Sequence, residues 1–573
     1  RIDDYDNDDD DNGEVTPPPF STIYVQFLSK DNNYAKNEQL KLLVKIHGRP
    51  TTTTTIVIDG LLDPNFNSFI AEISPDIIIF CGENGPPPLH FRDNTLFKEW
   101  SQNNVIIHSH TPIEDIELEV LELVEKARFS YLPLRFVSKY GMMRLIDSRI
   151  TYELLQRDFV IPPRLRTFSK HHEQIRTLEN IIEMDKAGMI ISPEIGLHEN
   201  IAVLDFNDEY ANLIMNHNIS YENLSNDEPA ILPSIVSEII KRRIYLKKLL
   251  KINLENQFQC QIGLDILKQF LVCLYGTSGS VWNRYSNVWV FEEINRLSRQ
   301  ILLKTKDIVQ SAGFELIYAD TDAVFLKKRN APKEDFEEIK NVIIKETGLC
   351  LTLEYHYKFL VLLYIEADEK MEARKHYYGM TYDNRLITRG IDTRRHDSPT
   401  FLKEFQTALL SKLFDCNNYE EVLTSGYQNA LLYVTHSIDK LINGEMQITD
   451  LVISKLLRQN IGKYRSLFPH VAAAVKLNIS GITTNRGDNI QYVYTDSNHT
   501  DPLQRITPAK LISSENYDEE RYLEMLFDSA EAVLSVFGFD RSQFGYDRKK
   551  SYNWWNEIHQ QRDRDIKSAK MEL

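Results

Sequence analysis

Two short segments place carboxylates at the ends of apolar runs, where acidic side chains could do chemistry. Residues 202–204 are apolar and lead into Asp205, and the mostly apolar residues 316–319 lead into Asp320-Thr321-Asp322. Asp is disfavoured in strands, and several ionised carboxylates buried together are costly unless cations neutralise them. Hard divalent ions, Mg²⁺ above all, prefer such oxygen ligands. Both segments are therefore candidate parts of a metal site.

The spacing of the second pair allows two local geometries. In an extended strand, Asp320 and Asp322 would point to the same side, whereas in a tight turn they would bracket the turn between two strands. Taken alone, the triplet is typical of ordinary turns and solvated hairpin tips. The apolar residues on both of its sides are what favour a metal-binding interpretation.

The elements that must position these acids follow from hydrophobic patterning. Alternation predicts strands within 20–48, and β-branched runs predict buried strands at 56–58 and 77–80. Apolar residues at helical spacing predict helices over 112–126, 235–250, 265–274 and 292–312. The last helix leads into a strand at 315–318, and the third is expected to stop at Gly276 and Gly279. Beyond about residue 400 the pattern is mostly helical, except for a hairpin predicted around Arg486–Tyr494. The fold class predicted is α+β.

Composition limits the broad class of protein. The chain has 573 residues, 42% of them apolar and 26% charged, so a wholly disordered or fibrous protein is excluded and about four domains are expected. No apolar run approaches the ~18 residues of a membrane span, and no charged segment followed by an apolar one opens the sequence, so nothing suggests secretion. It starts at Arg1 and not at a methionine, which leaves open whether residues precede it. Five cysteines without a CxxC pair fit a reducing interior, and we expect a cytoplasmic protein.

The net charge of −17 is unevenly distributed. Residues 1–14 hold seven Asp, one Glu and one Arg, and this acidic segment is expected to be a disordered tail. Acidity argues against a polyanionic partner at first sight. A binding groove, however, depends on local clusters and not on net charge, so a nucleic-acid partner stays possible.

Five motifs, in matching order and spacing over roughly residues 150–540, resemble those of family B DNA polymerases. Residues 318–323 (YADTDA) are similar to YGDTDS, and residues 193–220 are similar to P-x-x-G-L-Y-E-N … D-F-x-S-L-Y-P … H-N-I-S. Residues 268–276 resemble K-x-x-x-N-S-x-Y-G, and residues 374–379 resemble K-K-R-Y-x-G. Pro469-His470-Val471 lies in a thumb-like segment. Each motif is weak alone; together they are specific, and they are most similar to the exonuclease-deficient archaeal group.

The resemblance implies a right-hand polymerase fold with palm, fingers and thumb, preceded by a shortened N-terminal exonuclease-like α/β domain. The expected boundaries are an acidic tail at 1–15, the degenerate exonuclease-like domain at 16–130, palm at 131–233 and 281–410, fingers at 234–280, and thumb with a C-terminal tail at 411–573.

The resemblance also implies DNA-templated nucleotidyl transfer to a primer 3′-hydroxyl, assisted by two Mg²⁺ ions for which Mn²⁺ can substitute. Asp205 and Asp322 would bridge both ions, the backbone carbonyl of Phe206 would add a ligand, and Asp320 would assist. The partners implied are primer–template DNA and deoxynucleoside triphosphates. A sliding clamp or other replication proteins are candidate further partners, in a prokaryotic, nucleoid-associated setting with no membrane.

Further site residues follow from the same motifs. Arg243, Lys247 and Lys268 would bind the incoming triphosphate, and Tyr275 would pack against the nascent base pair. Tyr210 would exclude a ribose 2′-hydroxyl, although an aromatic residue at either of these positions fits a core role equally. The residues expected to contact primer–template DNA are Lys375, Tyr377, Lys455 and Tyr464.

The chain departs from the family pattern at several positions. Asp208-Glu209 replaces Ser-Leu beside the expected triphosphate site, where repulsion should weaken nucleotide binding, and Val272-Cys273 replaces Asn-Ser. We therefore expect slower or less discriminating synthesis, tolerant of damaged templates. The alternative is a catalytically weak or inactive polymerase-like scaffold that binds primer–template DNA or a replisome partner. The acids of a 3′–5′ exonuclease are largely missing, with only Asp115 as a candidate survivor, so proofreading is not expected.

Overall fold

The computed structural model describes thirteen stretches of the chain. These are residues 21–27, 38–46, 52–58, 77–81, 105–109, 116–162, 188–222, 230–252, 257–280, 283–365, 368–395, 397–512 and 516–544. The predicted acidic tail at 1–15 and the residue Asp115 lie outside them. The chain forms two compact units. Unit 1 comprises Arg1–Met189, Phe206–Thr305 and Ile344–Cys350, and unit 2 comprises Ile190–Asp205, Lys306–Ile343 and Leu351–Leu573.

A five-stranded mixed sheet begins unit 1. Its strands are β1 (Ser21–Phe27), β2 (Glu38–Ile46), β3 (Thr52–Ile58), β4 (Ile77–Cys81) and β5 (Val105–Ser109). They lie in the order β3-β2-β1-β4-β5, with β1, β4 and β5 mutually parallel and β2 antiparallel to both of its neighbours. The strands predicted from alternation and from β-branched runs are confirmed.

The α-helices that the structure describes up to residue 311 follow this sheet along the chain. They are α1 (Ile116–Ser130), α2 (Leu134–Val137), α3 (Met142–Gln156), α4 (Glu209–Asn216), α5 (Ile231–Ile252), α6 (Gln257–Ser278) and α7 (Val288–Ser311). All four predicted helices are confirmed. The third was expected to stop at Gly276 and Gly279; α6 continues through Gly276 and ends at Ser278, immediately before Gly279. Its other glycine, Gly263, allows a close approach to α5: a Cβ there would lie 2.8 Å from a methyl carbon of Leu246.

A seven-stranded sheet is the centre of unit 2. Its strands are β6 (Ile190–Ile191), β7 (Gly196–Phe206), β8 (Glu315–Asp320), β9 (Ala323–Lys327), β10 (Leu351–Ile365), β11 (Asp368–Thr381) and β12 (Leu386–Arg389). They lie in the order β12-β11-β10-β7-β9-β8-β6. The middle of β7 is buried almost without interruption, as expected for a strand whose two faces are both covered.

Of the remaining described α-helices and strands, the first, α8, lies between β9 and β10 along the chain, and the others follow β12. They are α8 (Lys333–Thr347), α9 (Thr400–Leu413), α10 (Tyr419–Glu421), α11 (Tyr427–Ile442), β13 (Ile453–Leu456), α12 (Pro469–Ile479), β14 (Asn489–Tyr494), β15 (Ile506–Pro508) and α13 (Glu519–Leu534). Leu409 on α9, Val434 on α11 and Phe527 on α13 belong to one buried cluster that also takes Phe359 of β10 and Tyr378 of β11. Among the described residues, none of the helices combines the length and apolar character required to cross a bilayer.

The hairpin predicted around Arg486–Tyr494 is wrong. Only one strand, β14, lies there, and its antiparallel neighbours are β13, which precedes it by more than 30 residues, and β15. Two backbone hydrogen bonds join the ends of this long connection: the amide of Leu457 donates to the carbonyl oxygen of Asp488, and the amide of Gly487 donates to the carbonyl oxygen of Leu457. Local alternation indicated the strand correctly, but its partners are set by distant residues.

Gly379 allows β11 to pack closely on β10, and replacing it tests that packing. A Cβ at Gly379 would lie 2.5 Å from the carbonyl oxygen of Phe359 and 2.6 Å from the ring of Tyr357, a backbone atom and a buried ring with little room to move. We expect Gly379→Ala to lower the free energy of unfolding by about 1–3 kcal/mol, measured by urea denaturation. Gly462→Ala, where a Cβ meets nothing within 4 Å, is the matched control. Equal stabilities of the two variants would contradict this account.

Candidate active site

Sheet register aligns two of the three candidate acids. Asp205 of β7 and Asp320 of β8 are both paired with Ala323 of β9, the strand between them. Directly opposed residues of antiparallel strands project from the same face, so both carboxylates lie on one side of the sheet. Two strand spacings separate their Cα atoms by roughly 10 Å. The residue between them, Ala323, has a small side chain.

The third acid lies on the turn that joins β8 to β9. The backbone amide of Asp322 donates to the carbonyl oxygen of Asp320 at 2.7 Å, which closes a three-residue turn around Thr321. Thr321 has φ +60°, a left-handed conformation that is unfavourable for a β-branched residue. Of the two geometries that the spacing allowed, the tight turn is the one adopted. The strain is held next to the carboxylates.

These acids lie in an environment that favours a cation. One oxygen of Asp320, Oδ2, lies 3.3 Å from the ammonium nitrogen of Lys375, while the other, Oδ1, is buried without a hydrogen-bond partner. Loss of hydration raises the pKa of Asp322 above its usual range, and the nearby charge of Asp320 raises it further, against the lowering effect of backbone hydrogen bonding. The unpartnered Oδ1 of Asp320 and the raised pKa of Asp322 both mean that the surrounding protein does not fully offset the negative charge of these acids.

The donor set fits Mg²⁺ held jointly with a substrate. No three Asp, Glu, His or Cys side chains among the described residues are grouped closely enough to form an all-protein metal cage. Mg²⁺ is commonly bound by one or two carboxylates, with substrate phosphates and water completing an octahedron. Asp205, Asp320 and Asp322 offer only oxygen donors, and Asp320 Oδ1 is a buried oxygen in need of a partner. Phe206, whose carbonyl was predicted to contribute, is buried at the end of β7.

The segment that resembles K-K-R-Y-x-G contacts the same hairpin of unit 2. The backbone amide of Lys375, at φ +61°, donates to the hydroxyl of Tyr318 at 3.1 Å. Its side chain is 69% exposed although its ammonium lies beside Asp320. The ring of Tyr377 packs edge-on against Phe325, 5.3 Å between centroids, and burial raises the pKa of its hydroxyl. Tyr377 is thus partly a core residue, whereas Lys375 is accessible to a ligand.

In unit 1, the predicted phosphate-binding cations are brought together. Arg243 and Lys247 are one turn apart on α5, and Lys268 lies on α6. The pKa of Lys247 is lowered first by loss of hydration and then by the charge of Arg243, with a further contribution from Lys268. Mutual repulsion of this kind is expected where three cations are positioned for a polyanion.

An acid that the sequence placed as a repulsive neighbour is instead an ion-pair partner. Oδ2 of Asp208 lies 2.5 Å from Nη1 of Arg243, and the two side chains are 25% and 11% exposed. Asp208 precedes α4 with φ +49°, and its side chain does not cap that helix. The sequence identified the unusual residue but not this contact.

An aromatic stack joins the two predicted aromatic residues of unit 1. The rings of Tyr210 and Tyr275 lie 3.9 Å apart at 13°, and Phe291 of α7 stacks on Tyr275 at 5.0 Å. The hydroxyl of Tyr275 donates to Oδ1 of the buried Asn295 at 2.8 Å. Phe291 and Asn295 were not predicted; their spacing of four residues on one helix is the only sequence signal for them. Near them on α6, Val272 is 61% exposed.

The predicted DNA-contacting residues of the last third of the chain are partly engaged within the protein. Nζ of Lys455, on β13, lies 3.4 Å from Oδ2 of Asp397, and its side chain is 43% exposed. The ring of Tyr464 lies edge-on to His470 at 5.7 Å, and its hydroxyl accepts a hydrogen bond from the backbone amide of Gln459. Both side chains remain partly accessible to a ligand.

Comparison with known proteins adds independent information. A family model described as DNA polymerase family B matches residues 132–230 and 225–536. A DNA polymerase of Desulfurococcus sp. (strain Tok) is 26% identical over 72% of this chain and 54% of its own length. DNA polymerase 1 of Saccharolobus solfataricus is 24% identical over 74% of this chain and 49% of its own length. The chain thus spans about half the length of the curated relatives it matches. The family B DNA polymerase of Pyrobaculum calidifontis has a similar fold, with a TM-score of 0.59 and 17% identity over 92% of this chain and 79% of that one.

The stack of Tyr210 on Tyr275 should contribute measurably to the stability of unit 1. Offset-stacked rings add about 1 kcal/mol beyond the area they bury. We expect a double-mutant cycle of Tyr210→Leu and Tyr275→Leu, followed by chemical denaturation, to give a coupling free energy of about that size. Tyr210→Leu with Tyr433→Leu, a ring of unit 2 stacked on Phe405, is the control pair and should be additive. Additivity in the first cycle would show that the rings do not stabilise each other.

Proposed function

Because the chain belongs to DNA polymerase family B, we propose that it is a DNA-templated DNA polymerase that adds deoxynucleotides to a primer 3′-hydroxyl with two Mg²⁺ ions. The observation that carries the proposal is the row of Asp205, Ala323 and Asp320 across three strands, with Asp322 on the adjoining turn. An antiparallel sheet that brings acids from distant parts of the chain to one face supplies the oxygen ligands that such ions need.

Within this proposal each acid has its own role. Asp205 and Asp322 hold the metal ions together with the carbonyl of Phe206, and Asp320 supports them. When bound, two divalent ions lower the pKa of the attacking hydroxyl and neutralise charge on the leaving pyrophosphate. Lys375 lies beside Asp320 before they bind and is accessible to the primer–template afterwards. Phosphoryl transfer needs alignment and charge neutralisation more than covalent assistance, which is what these residues offer.

The cations and rings of unit 1 are assigned to the nucleotide. Arg243, Lys247 and Lys268 bind the triphosphate, because three clustered cations attract a group whose negative charge grows on the leaving oxygens. Tyr210 is assigned to the sugar and Tyr275 to the nascent base pair; in the absence of substrate, one face of each ring is covered by the other. Four further residues are assigned to the duplex, which they would contact mainly at phosphates and through groove shape and not at base edges: Lys375, Tyr377, Lys455 and Tyr464.

The domain assignment extends the same proposal. Residues 131–233 and 281–410 form the palm, 234–280 the fingers and 411–573 the thumb with a C-terminal tail, and 16–130 form a degenerate exonuclease-like domain. Support for the loss of proofreading comes from the strands: β1, β4 and β5, the three parallel strands of the first sheet, contain no Asp or Glu. We therefore assign the chain to the exonuclease-deficient type, and unedited synthesis would tolerate damaged templates.

Primer extension tests the catalytic assignment. With a labelled primer–template, dNTPs and Mg²⁺, the wild-type chain should extend the primer, and Asp205→Asn and Asp322→Asn should each lower the rate at least about a hundredfold, because removing one carboxylate charge weakens metal binding. Asp335→Asn, which removes the same charge from a residue paired with Lys328 elsewhere in unit 2, is the control and should extend normally.

The same experiment decides between synthesis and the alternative of a scaffold. If wild type and both carboxylate variants give equal, blank lanes with Mg²⁺ and with Mn²⁺ while all three still bind duplex in a gel-shift assay, the chain is a DNA-binding scaffold and the proposed synthesis is wrong. Extension that survives both substitutions would overturn the roles given to Asp205 and Asp322.

A separate measurement tests the absence of proofreading. A primer with a mismatched, labelled 3′ end should keep its length during incubation with the protein and Mg²⁺ in the absence of dNTPs, because the first sheet lacks acids on its parallel strands. Shortening that requires metal and disappears in Asp115→Ala would demonstrate an active exonuclease and contradict the assignment.

A further inference from the structure

Asp208 forms an ion pair with Arg243, an arginine that the proposed function assigns to nucleotide binding. Its carboxylate oxygen Oδ2 lies 2.5 Å from Nη1 of Arg243, within the range of a strong charge-assisted hydrogen bond. Arg243 is only 9% exposed, and its Nε is buried without a hydrogen-bond partner. The guanidinium therefore has one strong protein partner and an unused donor.

The backbone around Asp208 holds the carboxylate towards Arg243. Asp208 has φ +49° and ψ +43°, and an Asp at the residue before a helix would normally cap it, but this side chain makes no capping bond. Instead, the side-chain amide of Asn212 donates to the carbonyl oxygens of Asn207 and Asp208, at 2.7 and 3.3 Å. The turn is thereby fixed by its own helix, which leaves the carboxylate free to pair with α5.

Electrostatics explain why an anion is favourable at this point. Lys247 lies one turn from Arg243, and its pKa is lowered by loss of hydration and by the charges of Arg243 and Lys268, whereas the charge of Asp208 acts in the opposite direction. Asp208 is thus a negative charge that offsets repulsion within the group. A triphosphate would offset the repulsion among the cations more strongly, because it has several negative charges and many acceptor oxygens. It needs the same guanidinium, that of Arg243.

We infer that Asp208 is an internal competitor for the phosphate-binding arginine, which must release Arg243 before a triphosphate binds there and so sets the nucleotide affinity. The inference rests on the proposed function and specifies one residue that tunes its nucleotide affinity. In the absence of nucleotide, the carboxylate stands in for a phosphate oxygen. With nucleotide, the carboxylate leaves Arg243, and the cost of breaking the pair is subtracted from the binding free energy.

Equilibrium binding measures this competition in two arms. In the first arm, inorganic tripolyphosphate is titrated into the full chain without DNA, and calorimetry gives the dissociation constant. The second uses dTTP and Mg²⁺ with a primer–template whose primer ends in a dideoxynucleotide, so that nothing reacts. Asp208→Asn keeps the shape and loses the charge, and it should tighten binding roughly tenfold in both arms. Asp208→Ser, which restores the residue of the motif, is the second variant should Asp208→Asn not fold.

Two controls isolate the contact. Asp158→Asn makes the same chemical change at another residue of unit 1 with a left-handed backbone, φ +58°, and should leave both dissociation constants within twofold. In an Arg243→Gln background, Asp208→Asn should lose its effect, because the competition requires the guanidinium.

The outcomes separate this inference from the function on which it rests. Tighter tripolyphosphate binding by Asp208→Asn supports the competitor even if no primer is extended. Unchanged or weaker binding in folded Asp208→Asn and Asp208→Ser overturns it, even if the wild type is an active polymerase. An equal gain in Asp158→Asn, or a gain that persists without Arg243, also overturns it, because the effect would then be one of net charge.

Discussion

Like charges that are held close together repel strongly where water is scarce. In both candidate sites, the acids of unit 2 and the cations of unit 1, a side chain of opposite charge offsets that repulsion. In unit 2, the ammonium of Lys375 lies beside Asp320, within a set of acids that includes Asp322. In unit 1, the carboxylate of Asp208 lies among cations that include Arg243 and Lys247. Each group carries one residue of the opposite sign, and that residue belongs to the chain itself.

The carboxylate row depends on sheet register more than on any single contact. A slip of one residue between β7 and β9 would move Asp205 to the opposite face of the sheet, away from Asp320. Buried residues of the same strands, among them Val203, Ile317 and Phe325, fix that register because a slip would expose them. The strained turn at Thr321 is tolerated for the same reason: the flanking strands over-determine its ends.

Patterning predicted the parts of the fold whose information is local. The helices α5 and α7 and the strands β1 and β4 carry their own periodicity. The apolar flanks of residues 320–322 indicated buried strand on both sides, but they left open whether an extended strand or a tight turn lies between. The hairpin predicted at Arg486–Tyr494 failed because both partners of β14, β13 and β15, lie outside that segment, and alternation carries no information about partners. The contact between Asp208 and Arg243 was likewise out of reach, since it depends on a left-handed backbone and on how α4 packs against α5. Adjacent acids near cations suggest either repulsion or pairing, and only geometry distinguishes the two.

Several of the side chains proposed to bind substrate are already engaged in the protein. Arg243 is paired with Asp208, Lys375 lies beside Asp320, Lys455 lies beside Asp397, and Tyr275 is stacked on Tyr210. Under the proposed function, binding of DNA or nucleotide would therefore be an exchange of partners, and the binding free energy would be the difference between the free energies of the old and the new contacts. Such exchange lowers affinity, because a cation that leaves a carboxylate for a phosphate gains less than one that leaves water. It also keeps the cations ordered before binding, which reduces the entropy lost when substrate arrives. Weak but pre-arranged contacts suit the proposed polymerase, which would release each product before it accepts the next substrate, since the groups that release the substrate regain a partner at once.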